Sequence, residues 1–107
     1  MKLITRELEE EFKKVGSQEN VRDPIVICKF FDPCGQATWW ATGYNPKNKE
    51  FFGFVNLIGE EFAEWGSFGL KELEEIILPF GLKIERDLYF TPQPISKIMP
   101  KAILNIN

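Results

Sequence analysis

Apolar positions recur along this chain with two different periods, and the changes of period mark out the elements. Ile4, Leu8, Phe12 and Val15 stand four, four and three residues apart, which predicts a helix over residues 4–15 with one apolar face. Thr5 or a neighbour is placed to cap its start. Glu7, Glu9 and Glu10 crowd the first turns, where the helix dipole favours negative charge, and Lys13, Lys14 and Gly16 suit the far end. Residues 16–24 are polar, and Pro24 biases Asp23 toward extended backbone, so this stretch reads as a structured loop.

From Ile25 to Phe31 the period drops to two. Val26, Cys28 and Phe30 form an apolar face, while Ile25, Ile27, Lys29 and Phe31 form one that carries a charge. Asp32-Pro33-Cys34-Gly35 is a turn, Ala37 to Tyr44 a second strand, Asn45-Pro46-Lys47-Asn48 another reversal, and Phe51 to Ile58 a third strand. Loops this short suit an antiparallel meander, because parallel pairing needs a long crossover. A short strand follows over about 64–68, then a helix over 70–78 with Leu70, Leu73, Ile76 and Ile77 inward, ended by Pro79 and Gly81. Lys83 to Phe90 alternates again, with Ile84, Arg86, Leu88 and Phe90 on one face and Glu85, Asp87 and Tyr89 on the other. Prolines at 92, 94 and 100 break up a C-terminal tail from about residue 92, which has room for a short helix near Ser96 to Met99 and an apolar end at Ile103, Leu104 and Ile106. The predicted fold class is α+β: one domain over residues 1–107, with an antiparallel sheet of about four or five strands packed by an N-terminal helix and a second helix.

Composition narrows the function classes. A length of 107 residues suits one domain able to bury its own core without metal or disulfide staples. Sixteen acidic and thirteen basic residues give a net charge of −3, too balanced to argue for a polybasic binder or an acidic DNA mimic. Apolar runs fall short of the roughly 20 residues that cross a bilayer, so no membrane partner is expected. The charged N-terminus lacks the pattern of a secretion signal, and the expected location is the cytoplasm. Cys28 and Cys34 are then two thiols, too few for a metal site with no histidine in the chain. The same lack of histidine removes Ser-His and Cys-His catalysis. No phosphate-binding glycine loop or acidic metal motif occurs. No cofactor is expected, and the sparse catalytic residues point away from an enzyme.

Two constellations merit attention. Trp39, Trp40, Phe51, Phe52 and Phe54 fall on adjacent predicted strands beside Lys47 and Lys49, the composition of a base-stacking platform and equally of a core. Trp39 and Trp40 must point to opposite faces, and Glu60, Glu61 and Glu64 nearby count against a phosphate partner. Arg86, sharing a face with Ile84, calls for an acidic partner, for which Glu19, Asp23, Glu64 and Glu72 are candidates. The alternative is a site: Arg86 with Lys29 binding an anion, or Glu85 and Asp87 in acid–base work.

In order along the chain, Leu3-Ile4-Thr5 with Leu8, Gln18-Glu19, Asp23-Pro24, Lys29-Phe30-Phe31 with Pro33, and Thr38-Trp39 form one half of a pattern. Phe52-Gly53, Glu64-Trp65-Gly66-Ser67-Phe68, Leu70 with Glu72-Leu73, Gly81-Leu82, and Ile84-Glu85-Arg86-Asp87-Leu88 with Phe90 form the other. The pattern resembles a bacterial family known as domain of unknown function 2958. That resemblance implies a compact cytosolic domain associated with plasmids and other mobile elements, with no established reaction, cofactor or partner. It also implies that the polar positions Gln18, Glu19, Asp23, Lys29, Glu85, Arg86 and Asp87 belong to one network. The reading that follows is a non-enzymatic module that binds another protein, with Trp39, Trp40 and Trp65 joining those polar residues as candidate binding residues and an exposed apolar patch expected around Trp40 or Trp65. A single-stranded nucleic-acid binder and a small carboxylate/arginine enzyme are the alternatives, and the oligomeric state is open.

Overall fold

The computed structural model describes residues 1–104, so Ile106 lies outside the described residues. Helix α1 spans Arg6–Val15: Thr5 stays extended and its hydroxyl accepts the Leu8 N–H at 3.2 Å, so the helix begins after Thr5 rather than at Ile4. Gly16 ends it at a positive φ of 76°, its N–H returning to the Phe12 carbonyl at 2.9 Å.

Among the described residues seven strands follow: β1 (Ile25–Val26), β2 (Cys28–Phe31), β3 (Thr38–Asn45), β4 (Glu50–Asn56), β5 (Glu64–Gly69), β6 (Glu85–Arg86) and β7 (Gln93–Pro94). Five of them form an antiparallel sheet in the order β5-β4-β3-β2-β6, and β1 pairs with β7 in a separate ribbon. Helix α2 (Leu70–Glu75) continues directly from β5, and α3 (Lys101–Leu104) closes the described chain. The α+β class and the meander β2-β3-β4-β5 match the sequence pattern.

The sheet is covered on both faces. On one face Phe12 of α1 and Leu70 and Leu73 at α2 pack with Cys28, Phe30, Trp39, Ala41, Phe51 and Phe68. On the other, Trp40 and Phe54 pack with Val26, Ile95, Met99 and Ala102. The stretch beyond Pro92, with β7, a single 3₁₀ turn at Ile95–Lys97 and α3, therefore supplies Ile95, Met99 and Ala102 to the second core.

Two irregularities decide which side chains reach which face. In β3 the pairing steps from Ala41↔Gly53 to Gly43↔Phe52, leaving Thr42 as an extra residue. This bulge returns Tyr44 to the α1 face, where its ring lies 4.6 Å from that of Phe51 and 5.8 Å from that of Phe12. The predicted strand 25–31 also breaks. The Ile27 N–H bonds the Ala41 carbonyl at 2.8 Å while Cys28 already pairs with Ala41, so Val26 enters the core opposite to that of Cys28 and Phe30 instead of sharing their face.

The predicted helix over 70–78 stops at Glu75, because Ile77 pairs with Lys83 and Pro79 disfavours helical backbone at Leu78. Ile77, expected inside, is 75% exposed. The predicted strand 83–90 shrinks to Glu85–Arg86. Asp87 makes a turn there, its carboxylate accepting the Tyr89 N–H at 3.0 Å and its carbonyl the Phe90 N–H at 3.3 Å, which leaves Leu88 exposed.

Candidate functional site

Of the polar residues singled out by sequence, Lys29 and Asp87 meet, but the set does not form one network. Gln18 inserts its amide between β1 and the β3 bulge: Nε2 donates to the carbonyls of Ile25 and Thr42, both at 2.8 Å, and Oε1 accepts the Ile25 N–H at 2.7 Å. A side-chain amide here does what a backbone peptide does in a ladder. Asp23 receives the N–H and hydroxyl of Ser96 at 3.0 and 2.6 Å, which pins the C-terminal segment to the loop before β1. Glu19 is exposed.

Arg86 occupies the α1 face beside Phe30, as its parity predicts, but none of Glu19, Asp23, Glu64 or Glu72 meets it. Its Nη1 donates instead to the Lys2 carbonyl at 2.6 Å, so a backbone oxygen of the N-terminal segment takes the place of the expected carboxylate. On the opposite face Lys29 and Asp87 form a 3.7 Å ion pair, each side chain about a third exposed (31% and 27%). Such a pair contributes about 0.2–1 kcal/mol and holds β2 to β6. Glu85 is half-buried beside Phe31.

Both tryptophans of β3 are buried, Trp39 in one core and Trp40 in the other, so the apolar patch expected around Trp40 is not there. Phe51 and Phe54 are interior as well, which leaves Phe52 as the exposed member of the proposed stacking platform. Trp65 is partly exposed. Its ring packs edge-on to Phe54 at 5.3 Å and parallel to Phe52 at 6.0 Å, and its Nε1 donates to the Ala102 carbonyl at 3.1 Å.

Cys28 is an interior thiol whose pKa burial pushes up to about 12, with the nearby Arg86 charge pulling weakly the other way. It is a protonated packing group rather than a nucleophile. Cys34 is the exposed thiol of a turn. Among the described residues no group of His, Cys, Asp and Glu is arranged to hold a metal ion. No helix among them is long and apolar enough to cross a membrane.

Two grooves stand out, and neither includes Lys29, Glu85, Arg86 or Asp87. The larger, about 1020 Å³, runs from α1 past the β3–β4 turn and is lined by mixed charges from Arg6, Glu9, Glu10, Lys13, Glu19 and Glu50. The smaller, about 480 Å³, lies between β5 and α2. Trp39, Val55, Phe68, Leu73 and Ile76 line it together with the Gly66 backbone, and Leu57, Ile58 and Phe62 stand around it 54%, 68% and 63% exposed. An apolar concavity with exposed aliphatic and aromatic residues at its mouth is the character of a binding surface. Its charged lining residues are Glu64 and Glu72.

Sequence reasoning reached the β5 segment through Trp65 but missed Leu57, Ile58 and Phe62. The signal was present: three large apolar residues within six positions, in a stretch containing Gly59 and two glutamates where a solvated loop would be polar.

No curated protein matches the chain, and no solved structure does. Residues 3–104 match the family described as protein of unknown function DUF2958, which spans both cores, the Gln18 and Asp23 ties and the β5 groove. On that match over nearly its whole length, this chain belongs to the DUF2958 family.

Proposed function

We propose that this protein is a binding module for another polypeptide, and that its docking surface is the apolar groove between β5 and α2. The observation that carries the reading is the exposure of Leu57, Ile58 and Phe62 around that groove, since apolar groups held in water at the mouth of a concavity gain by being covered. The alternative chemistry has weaker support: Lys29 and Asp87 neutralise each other, Arg86 is engaged by a backbone carbonyl, and the thiol of Cys28 is interior. A nucleic-acid reading draws no support from a groove whose charged lining is acidic. The setting proposed for the module is the bacterial cytosol and a mobile genetic element, as the family resemblance implies.

The test is affinity capture from nuclease-treated native lysate with the wild-type protein and with Phe62→Asp and Ile58→Asp. These side chains are already exposed, so the variants should remain folded. The expected result is a protein retained near one-to-one by the wild type and lost by both variants. Retention of nuclease-sensitive nucleic acid, or retention indifferent to both substitutions, overturns the reading.

A further inference from the structure

The groove borders a sheet edge that lacks the usual protection. β5 ends the sheet and pairs on one side with β4. The bond from Leu70 N–H to the Lys49 carbonyl, 2.9 Å, fixes the phase of the antiparallel ladder, in which alternate residues turn their backbone groups to the partner strand. Residues 64, 66 and 68 therefore face β4, and residues 65, 67 and 69 face outward. The Gly69 N–H is taken by the Glu72 carboxylate at 3.0 Å, while the N–H and C=O of Trp65 and Ser67 meet no backbone partner among the described residues. Sheet edges are ordinarily blunted by lysine, proline, a bulge or shortness. β5 has six residues, no lysine or proline and an unbroken register with β4, whereas β6 at the opposite edge has two residues.

The side chains beside this edge specify what fits it. On the α2 face Gly66 pairs with Gly53, and a Cβ placed on Gly66 would meet nothing within 4 Å, so the groove floor is open where a strand normally carries a side chain. Glu64 and Glu72 line the groove, Glu60 and Glu61 share the turn with Phe62, and no lysine or arginine lines it. We infer that β5 accepts an extended segment of a partner polypeptide as a sixth strand. An apolar side chain of that segment sits over Gly66, and flanking lysine or arginine residues face Glu64 and Glu72. The inference rests on the groove being a polypeptide-binding surface and adds the conformation and charge of the segment that enters it. A second copy of this chain fits less well, because edge-to-edge pairing gathers the glutamates of two molecules that each carry a net charge of −3.

The test uses synthetic peptides of about six residues, a common strand length, with alternating valine and phenylalanine. One carries lysine at both ends, one glutamate at both ends, and a third is the lysine peptide with N-methyl groups on alternate backbone amides. Binding is read by titration, and amide hydrogen exchange is followed at Trp65 and Ser67. The lysine peptide should bind, bind more weakly as salt rises, and slow exchange at both amides by about tenfold or more, while Gly66 and Phe68, already bonded to β4, change little. The glutamate and N-methyl peptides should bind at least about tenfold more weakly. Ser67→Pro removes an outward N–H without touching the β4 ladder and should abolish binding, as should Gly66→Val, which fills the groove floor while suiting a strand.

If the lysine peptide binds and Phe62→Asp weakens it, yet Trp65 and Ser67 exchange as in the free protein, strand addition is overturned and the groove reading stands. Equal binding of the N-methyl peptide has the same meaning and does not depend on any variant folding. Protection of these amides in the protein alone, with a dimer by sedimentation, makes the second copy the occupant and overturns the inference. If none of the peptides binds, strand addition is overturned, and the groove reading then stands only if a protein captured from lysate is lost on Phe62→Asp and Ile58→Asp.

Discussion

Gly53 and Gly66 form a cross-strand pair, yet they tolerate opposite things. A Cβ on Gly53 would run into the Trp40 carbonyl oxygen and approach the Ala41 Cα to 2.9 Å, both backbone atoms of a strand held in place by cores on its two faces. Gly53→Ala should destabilise the protein by about 3 kcal/mol or more in urea denaturation, whereas Gly66→Ala should be neutral or slightly stabilising. Equal effects would mean that β3 moves freely at its bulge. The two thiols differ just as sharply. Cys34 should react with a thiol reagent in the native protein and Cys28 after unfolding. Cys28 holds its proton in the folded state to about pH 12 against an ordinary value of 9.0, so between those pH values the unfolded chain binds fewer protons than the native one. The Cys28 contribution is intact below pH 9 and declines as pH rises through that window, by at most about 1.4 kcal/mol per pH unit. Stability measured across this range should fall less steeply in Cys28→Ala than in the wild type, and parallel profiles would show that Cys28 ionises without unfolding.

Gln18 shows what a sequence does and does not disclose about its elements. Helix α1 was legible from the spacing of Leu8 and Phe12 and from Gly16, because burial on one face imposes a period that the chain must carry locally, and β3 and β4 were legible as apolar and aromatic runs bounded by turn residues. The bulge at Thr42 and the break at Ile27 were not legible, since each is a relation between strands distant in sequence, and one extra residue inverts every later side chain. The polar positions were visible, but their roles were not: Gln18 satisfies the bulge, and Asp23 binds Ser96, seventy-three positions away. Arg86 found a backbone carbonyl that no pairing rule for charges would nominate. At the candidate site, Trp65 was legible as an aromatic on a short strand and the Leu57–Phe62 rim as apolar residues clustered in a loop, while the edge position of β5 depended on which strand ends the sheet. The Gln18 amide makes a specific prediction. Gln18→Glu keeps its size but sets a carboxylate against the Ile25 and Thr42 carbonyls, so it should cost about 2 kcal/mol or more, at least as much as Gln18→Leu. Chemical denaturation of both variants measures it, and a neutral Gln18→Glu would show that the bulge finds other donors.

One sheet serves as the shared wall of two interiors, and this couples the far ends of the chain. Adjacent residues of β3 face opposite ways, Trp39 toward α1 and α2 and Trp40 toward the C-terminal segment, so neither core can loosen without moving a strand that the other packs against. The C-terminal segment has its own ties: Ile95 N–H to the Pro24 carbonyl at 2.9 Å, the Asp23 bonds to Ser96, and the β1–β7 ribbon. Ile95 is wholly buried against this second face. Truncating it to alanine removes apolar burial and leaves a cavity, and should cost about 2–4 kcal/mol. The cost should appear as one cooperative transition in which near-ultraviolet dichroism of the tryptophans and far-ultraviolet dichroism of the backbone coincide, because the wall is common to both cores. A variant in which the tryptophan signal changes first, with the backbone signal of α1 and the sheet intact, would show instead that residues 93–104 release as a separate unit. The β5 groove lies on the α1 and α2 face, while Trp65 beside it is tied to Ala102. Release of the segment would therefore reach the proposed docking edge through Trp65, and hydrogen exchange at the Trp65 and Ser67 amides of Ile95→Ala would report whether it does.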